Sequence, residues 1–221
     1  MNPHRKIKLV IFDLDGTLID SLTDLALATN HALRLNGFPE HSVDKYKQFV
    51  GNGLGKLIER ALPEKRRNPS VQEQVKADFL KYYSAHLNDH TRPYPGITEL
   101  LDELEKHRIA LAVATNKPQP AARTIVAEIF KGFPFAIVLG QTLGRPVKPD
   151  PAIVYEIMKT TGARSAEALY VGDSGVDMQT AYHAAITAIG CLWGFRDAVE
   201  LKGSGASHLV SEPSEILKFC K

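Results

Sequence analysis

Val10-Ile11-Phe12-Asp13-Leu14-Asp15-Gly16-Thr17-Leu18 decides how this chain is read. The run Leu9-Val10-Ile11-Phe12 has the unbroken apolar character of a strand buried on both faces of a parallel sheet. It ends in two carboxylates one residue apart, followed by a glycine. Ligands of open α/β sheets gather beyond the carboxyl ends of the strands, so Asp13 and Asp15 stand where chemistry is done. The two acids share a site only if the chain leaves strand geometry there, and Gly16 makes a tight turn accessible. Two close carboxylates repel, which favours a bound cation or a raised pKa on one of them. Asp-x-Asp-Gly alone also reads as a surface turn, because Asp and Gly are turn formers. The rest of the chain decides between these readings.

With 221 residues, 44% of them hydrophobic, the chain can bury one core plus a smaller appended domain. Its 27 basic and 25 acidic residues give a net charge of +2, which offers no general polyanion-binding surface and argues against a nucleic-acid partner. The basic start His4-Arg5-Lys6 is followed by an apolar run that Asp13 and Asp15 cut too short for a signal peptide. No other stretch is long enough to span a membrane. Cys191 and Cys220 lie far apart and match no metal or disulfide framework. A soluble, cytoplasmic protein is expected, as a monomer or a homodimer.

Beyond the first strand the character changes. Ser21 is placed to cap a helix in which Leu22, Leu25, Ala26, Thr29, Ala32 and Leu33 recur at helical spacing, with Gly37 as its stop. Further helices are expected from Val43 to Phe49, from Lys56 to Leu62 behind the Gly51-Asn52-Gly53-Leu54-Gly55 run, and from Val71 to near Leu87. Nothing between Ser21 and Asn88 reads as a strand, and Thr91-Arg92-Pro93-Tyr94-Pro95-Gly96 marks a boundary. Strands then alternate with helices: 109–114, 135–139, 168–171, 187–189 and 208–210, each followed by a helical stretch or a loop. The expectation is a doubly wound, Rossmann-like parallel α/β sheet (residues 1–18 and 93–221) with an all-helical cap inserted at 19–92.

Four polar clusters fall at or after strand ends: Asp13/Asp15, Thr115/Asn116, Lys148 and Asp173/Asp177. Lys148 lies in Val147-Lys148-Pro149-Asp150-Pro151, where two prolines pin a loop just before a helix. Asp177 follows Asp173 by one helical turn, so both acids can share one face. Each cluster has an ordinary reading: a turn at Thr115-Asn116, solvated surface at Lys148, a helix cap at Asp173-Ser174. Gathered at one sheet edge, the acids suit a hard cation such as Mg²⁺, and the hydroxyl and ammonium suit phosphate oxygens.

In this order the motifs Asp-x-Asp-Gly-Thr, Thr-Asn, Lys-Pro-Asp-Pro and Gly-Asp-Ser-x-x-Asp resemble those of the haloacid dehalogenase superfamily of phosphatases, across essentially the whole chain. Val50-Gly51-Asn52-Gly53, Lys148-Pro149-Asp150-Pro151 and Leu192-Trp193-Gly194-Phe195-Arg196 resemble its phosphoglycolate phosphatase-like branch. The resemblance implies that Asp13 is a nucleophile forming an aspartyl-phosphate and Asp15 the general acid/base. It implies Mg²⁺ held by Asp13, the Asp15 backbone carbonyl and Asp173, with Asp177 orienting a metal water or Lys148. Thr115 and Lys148 would bind phosphate, helped by backbone N–H groups near Leu14, Asp15 and Asn116. Asn52 and Gly53 would meet the part of the substrate beyond the phosphate, although a plain turn between helices explains that loop as well.

The implied activity is hydrolysis of a small phosphorylated metabolite, with 2-phosphoglycolate favoured. A pyrophosphatase, or a phosphosugar phosphatase or mutase, of the same fold is the alternative. More distant is a phospho-accepting signalling protein, in which the phosphorylated acid follows a later strand and no cap is present.

Overall fold

The computed structural model describes residues 6–220, so His4 and Arg5 of the basic start lie outside the described residues. Strand β1 (Leu9–Phe12) is followed by the two-residue strand β2 (Ile19–Asp20) and by helices α1 (Leu22–Leu35), α2 (Leu54–Ala61) and α3 (Pro69–Tyr83). A second two-residue strand, β3 (Arg92–Pro93), leads into α4 (Ile97–Lys106), β4 (Ala110–Pro118), α5 (Gln119–Ile129), β5 (Phe135–Gln141) and α6 (Ala152–Thr161). Then come β6 (Ala168–Gly172), α7 (Gly175–His183), β7 (Thr187–Cys191), α8 (Ala198–Gly203) and β8 (His208–Val210).

The long-range order follows from β1. Within the described residues it is an inner strand of a six-stranded parallel sheet ordered β5-β4-β1-β6-β7-β8, and Leu9, Val10, Ile11 and Phe12 are all fully buried. Burial of each such side chain contributes ~1.5–3 kcal/mol. Because strand side chains alternate, Val10 and Phe12 pack with Ile97, Leu101 and Ile125 of α4 and α5, whereas Leu9 and Ile11 pack with Ile157 and Met178 of α6 and α7. Helices therefore cover both faces, as the apolar run of β1 requires. The chain winds outward from β1 to β4 and β5, then returns to β6 on its other side. The reversal opens a crevice beyond the carboxyl end of β1.

Helices α1, α2 and α3 bury a separate apolar cluster that includes Leu25, Leu33, Tyr46, Ile58, Phe79 and Tyr83. The insert departs from the sheet and rejoins it through one antiparallel ribbon, with Ile19 opposite Pro93 and Asp20 opposite Arg92. Asp24 ties the two crossings together. Its carboxylate accepts the His90 N–H at 3.0 Å, the Thr91 N–H at 2.8 Å and the Thr91 hydroxyl at 2.6 Å. No helix of the described residues is long and apolar enough to cross a membrane.

Several local expectations need correction. Val43–Gln48 and the last helix, Pro213–Phe219, are 3₁₀ rather than α. Short segments that bury only one or two side chains gain little from a full α-helical stripe. Helix α8, started by Asp197 accepting the Val199 and Glu200 N–H groups, was not expected. Ser21 does sit at the N-cap of α1, but its hydroxyl makes no capping bond. It donates to Asp15 Oδ1 at 2.5 Å instead, and Asp20 accepts the Leu22 N–H at 3.2 Å.

Candidate active site

The site begins where β1 ends. The Asp13 N–H still joins the sheet, donating to Val171 at 2.9 Å, and the chain then turns sharply at Gly16, whose φ is +87°. A side chain is excluded there twice over, because a Cβ on Gly16 would lie 2.3 Å from Asp173 Oδ2. That contact also shows how closely the first turn approaches the end of β6. Asp13 and Asp15 consequently face different partners.

Asp13 faces the interior of the sheet edge. Lys148 arrives from the loop after β5, which Asn116 fixes in place: its Oδ1 accepts the Lys148 N–H at 2.9 Å and its Nδ2 donates to the Lys148 carbonyl at 3.2 Å. The Lys148 ammonium, whose side chain is only 1% exposed, donates to Asp177 Oδ1 at 2.7 Å, the Ala114 carbonyl at 2.9 Å and the Tyr170 hydroxyl at 3.1 Å. It also lies 2.9 Å from Asp13 Oδ1, as an ion pair without hydrogen-bond alignment. Asp13 Oδ1 thus has no hydrogen-bond donor among the described residues.

Asp177 does two structural jobs. Its Oδ2 accepts the Ser174 N–H at 3.1 Å and the Ser174 hydroxyl at 2.6 Å, closing a reciprocal cap at the start of α7, while Oδ1 holds Lys148. Asp173 accepts the Thr17 hydroxyl at 3.2 Å and the Phe195 N–H at 2.8 Å. One carboxylate oxygen from each of Asp13, Asp173 and Asp177 lies within 4.8 Å of the others. Burial and the neighbouring Asp177 push Asp13 up to about 7, with Lys148 pulling the other way. Burial, Asp177 and Asp13 push Asp173 up to about 8.

Three buried acids facing one ammonium leave negative charge uncompensated, and every free donor is a carboxylate oxygen. That set fits a hard divalent cation. Asp177 already accepts from Lys148, Tyr170 and both the N–H and hydroxyl of Ser174, against two donors on Asp173, so Asp13 and Asp173 keep more lone pairs for a cation.

Asp15 points the other way, towards the helical insert. Besides Ser21, it accepts from Lys117 Nζ at 2.9 Å and 3.2 Å, one contact to each oxygen. The same ammonium donates to the Tyr83 hydroxyl of α3 at 2.6 Å and lies 4.9 Å from the centre of that ring. Burial lowers the pKa of Lys117, but Asp15 and Tyr83 outweigh it and leave the group above its ordinary range. Sequence reasoning passed over Lys117, which is a lone basic residue inside the buried strand β4. A lysine in such a run has to meet an acid, and that was the signal available.

Between insert and sheet lies a cavity. Leu25, Val50, Leu54, Leu57, Phe79 and Tyr83 line it from the insert, and Asp13, Asp15, Thr115, Asn116 and Lys117 from the sheet. Thr115 is buried, with its hydroxyl oxygen accepting the Lys117 N–H at 3.2 Å. Gly51 and Gly53 reach the cavity, and the Gly51 carbonyl accepts from Asn116 at 3.2 Å. Asn52 is not among the lining residues, and its side-chain oxygen accepts from Arg60 at 2.8 Å. Arg196 donates to the Lys47 and Val50 carbonyls of the insert, and the Trp193 indole N–H to Thr17 at 3.0 Å. His183 is bonded to the Pro149 carbonyl, outside the site.

The doubly wound sheet thus carries paired aspartates at the end of β1, with a buried lysine and two further acids beside them. Residues 10–191 match the family of haloacid dehalogenase-like hydrolases, and the chain belongs to that family. A phosphoglycolate phosphatase of Mannheimia succiniciproducens is 33% identical, with 98% of this chain and 99% of the relative aligned. One from Pseudomonas savastanoi pv. phaseolicola is 31% identical, over 96% of this chain and 79% of that protein. A crystal structure from Lactobacillus delbrueckii subsp. bulgaricus superposes with a TM-score of 0.92 at 31% identity, covering 97% of this chain and 98% of the other.

Proposed function

We propose that this enzyme is a Mg²⁺-dependent phosphomonoesterase that hydrolyses a small phosphorylated metabolite, 2-phosphoglycolate in first place, through an aspartyl-phosphate on Asp13. The observation that carries the reading is the state of Asp13. It is buried, paired with the Lys148 ammonium at 2.9 Å, and part of the cavity wall that also carries Thr115.

In the first step an Asp13 oxygen attacks phosphorus, the ester P–O bond breaks, and Asp15 gives its proton to the departing alkoxide. In the second, water attacks the phosphorus of the aspartyl-phosphate and passes a proton to Asp15. The Asp13–phosphorus bond breaks, releasing inorganic phosphate. Thr115 and Lys148 bind the phosphoryl oxygens and meet their charge, with the N–H groups of Leu14, Asp15 and Asn116 completing the cradle. Asp13, Asp173 and the Asp15 carbonyl would hold Mg²⁺, whose charge offsets the repulsion between nucleophile and phosphate. Asp177 keeps Lys148 in place.

The insert at 19–92 acts as a cap over this chemistry. Its wall of Leu25, Leu54, Leu57 and Phe79 leaves room for a small leaving group and excludes water, which supports a metabolite rather than a folded phosphoprotein. The Gly51–Gly53 backbone meets the far end of the substrate, with Asn52 shaping that loop through Arg60. The relatives named phosphoglycolate phosphatase support the choice of substrate. The test is steady-state kinetics on a panel of small phosphate esters with Mg²⁺, ranked by kcat/KM. The expected order puts 2-phosphoglycolate first, with activity lost in chelator and restored by Mg²⁺. Failure to turn over any monoester, or full activity in excess chelator, overturns the reading.

A further inference from the structure

Lys117 has no part in the mechanism above, yet it is buried at the site and all its polar contacts are specific. Its two bonds to Asp15 use both carboxylate oxygens, and its third partner, Tyr83, belongs to the insert. Lysine is an expensive residue to bury, and an ammonium so placed is kept by its partners. An ammonium bonded to both oxygens fixes the plane of the Asp15 carboxylate. The Ser21 hydroxyl, a third donor on the same carboxylate, helps to hold that orientation.

We infer that Lys117 is a positioning residue for the second half of the reaction: bridged to Tyr83, it holds Asp15 as the carboxylate that takes a proton from the attacking water. The inference rests on the aspartyl-phosphate reading. In the first step Asp15 is protonated and Lys117 has only one acceptor oxygen to hold. Once the proton has left with the alcohol, the two-oxygen grip is restored and Asp15 is fixed towards the phosphoenzyme. Because Tyr83 supplies the other end of the bridge, the grip is complete when α3 lies over the sheet. Hydrolysis of the phosphoenzyme is thereby linked to the position of the insert.

p-Nitrophenyl phosphate separates this role from a structural one. Its phenolate leaves without needing a proton, so kcat/KM reports formation of the phosphoenzyme, whereas kcat includes its hydrolysis. Lys117→Met is expected to lower kcat roughly 30- to 100-fold and kcat/KM by no more than about threefold. A pre-steady-state burst of nitrophenolate approaching one equivalent per enzyme should appear. Tyr83→Phe keeps the ring and the lysine and should show the same split at about fivefold. It carries the test if Lys117→Met does not fold. A parallel fall in kcat and kcat/KM without a burst, or an unchanged kcat in both variants, overturns the proposal. Wild-type enzyme that releases no nitrophenolate, and labels no Asp13, overturns the phosphatase reading itself.

Discussion

Two buried lysines stand at the carboxyl edge of this sheet, and each holds one of the two aspartates of the first turn. Lys148 is held entirely by the sheet and its loops, through Asp13, Asp177, Tyr170 and the Ala114 carbonyl. Lys117 has one partner on the first turn and one on α3 of the insert. The first arrangement draws on no residue of the insert, whereas the second is completed by Tyr83. On the proposed mechanism, Lys148 would be a phosphate-binding charge held by the sheet alone, and Lys117 one whose hold on Asp15 depends on the insert.

The strongest break falls on the Lys148 side. Asp13→Asn keeps size and shape but removes the proposed nucleophile, and turnover should fall at least about a thousandfold with the fold intact by circular dichroism. Lys148→Met should follow, because it leaves Asp13 and Asp177 buried without their cation. Urea unfolding should show a loss of ~3–5 kcal/mol. Lys117→Met removes a group with only one acidic partner, and its loss should be smaller in the same experiment.

A third prediction concerns acid strength. Asp13 and Asp173 are raised from 3.8 to about 7 and about 8 in the folded protein. Between pH 4 and 8, on the order set by those values, the metal-free folded state keeps protons that the unfolded chain has released. Its stability therefore falls as pH rises through that window and levels off on either side. Mg²⁺ at about a hundred times its dissociation constant should raise Tm by ~5–10 °C at pH 8, and by clearly less at pH 5.5. Thermal scans with and without chelator check both statements. A metal-free Tm that climbs from pH 5.5 to 8 would contradict the assignment.

The smallest effect is expected in the insert. Asn52→Ala frees Arg60 and loosens the Gly51–Gly53 loop without touching the acids. It should lower kcat/KM about threefold for the best metabolite and leave p-nitrophenyl phosphate unaffected. Equal losses on both substrates would show that this loop does not discriminate between leaving groups.

The contrast between the two lysines also explains what could be read in the sequence. Asp13, Thr115 and Asp173 were legible because each follows a short apolar run, Lys148 because two prolines pin its loop, and Asp177 because it lies one helical turn after Asp173. Strand ends are where a parallel sheet places its ligands. The alternation of runs and helices was enough for the sheet and for the helical insert. Lys117 was obscure because its meaning depends on Tyr83, on another element 34 residues away in the chain. Ser21 was half legible. Its position at the start of α1 follows from residue type, but its hydroxyl serves Asp15, and no local rule distinguishes those uses. The ribbon of β2 and β3 is two residues deep on each side, too short for any alternation to show.

That ribbon has a consequence of its own. Topologically, everything from Ser21 to Thr91 is the loop of a single β-hairpin whose stem is Ile19-Asp20 and Arg92-Pro93. The entropy of closing a loop grows only with the logarithm of its length, about 0.6 kcal/mol for each doubling. Lengthening, shortening or replacing the helices therefore makes little demand on the sheet, so long as the stem stays paired. The catalytic acids can stay where they are while the substrate they meet is rewritten one hairpin loop at a time.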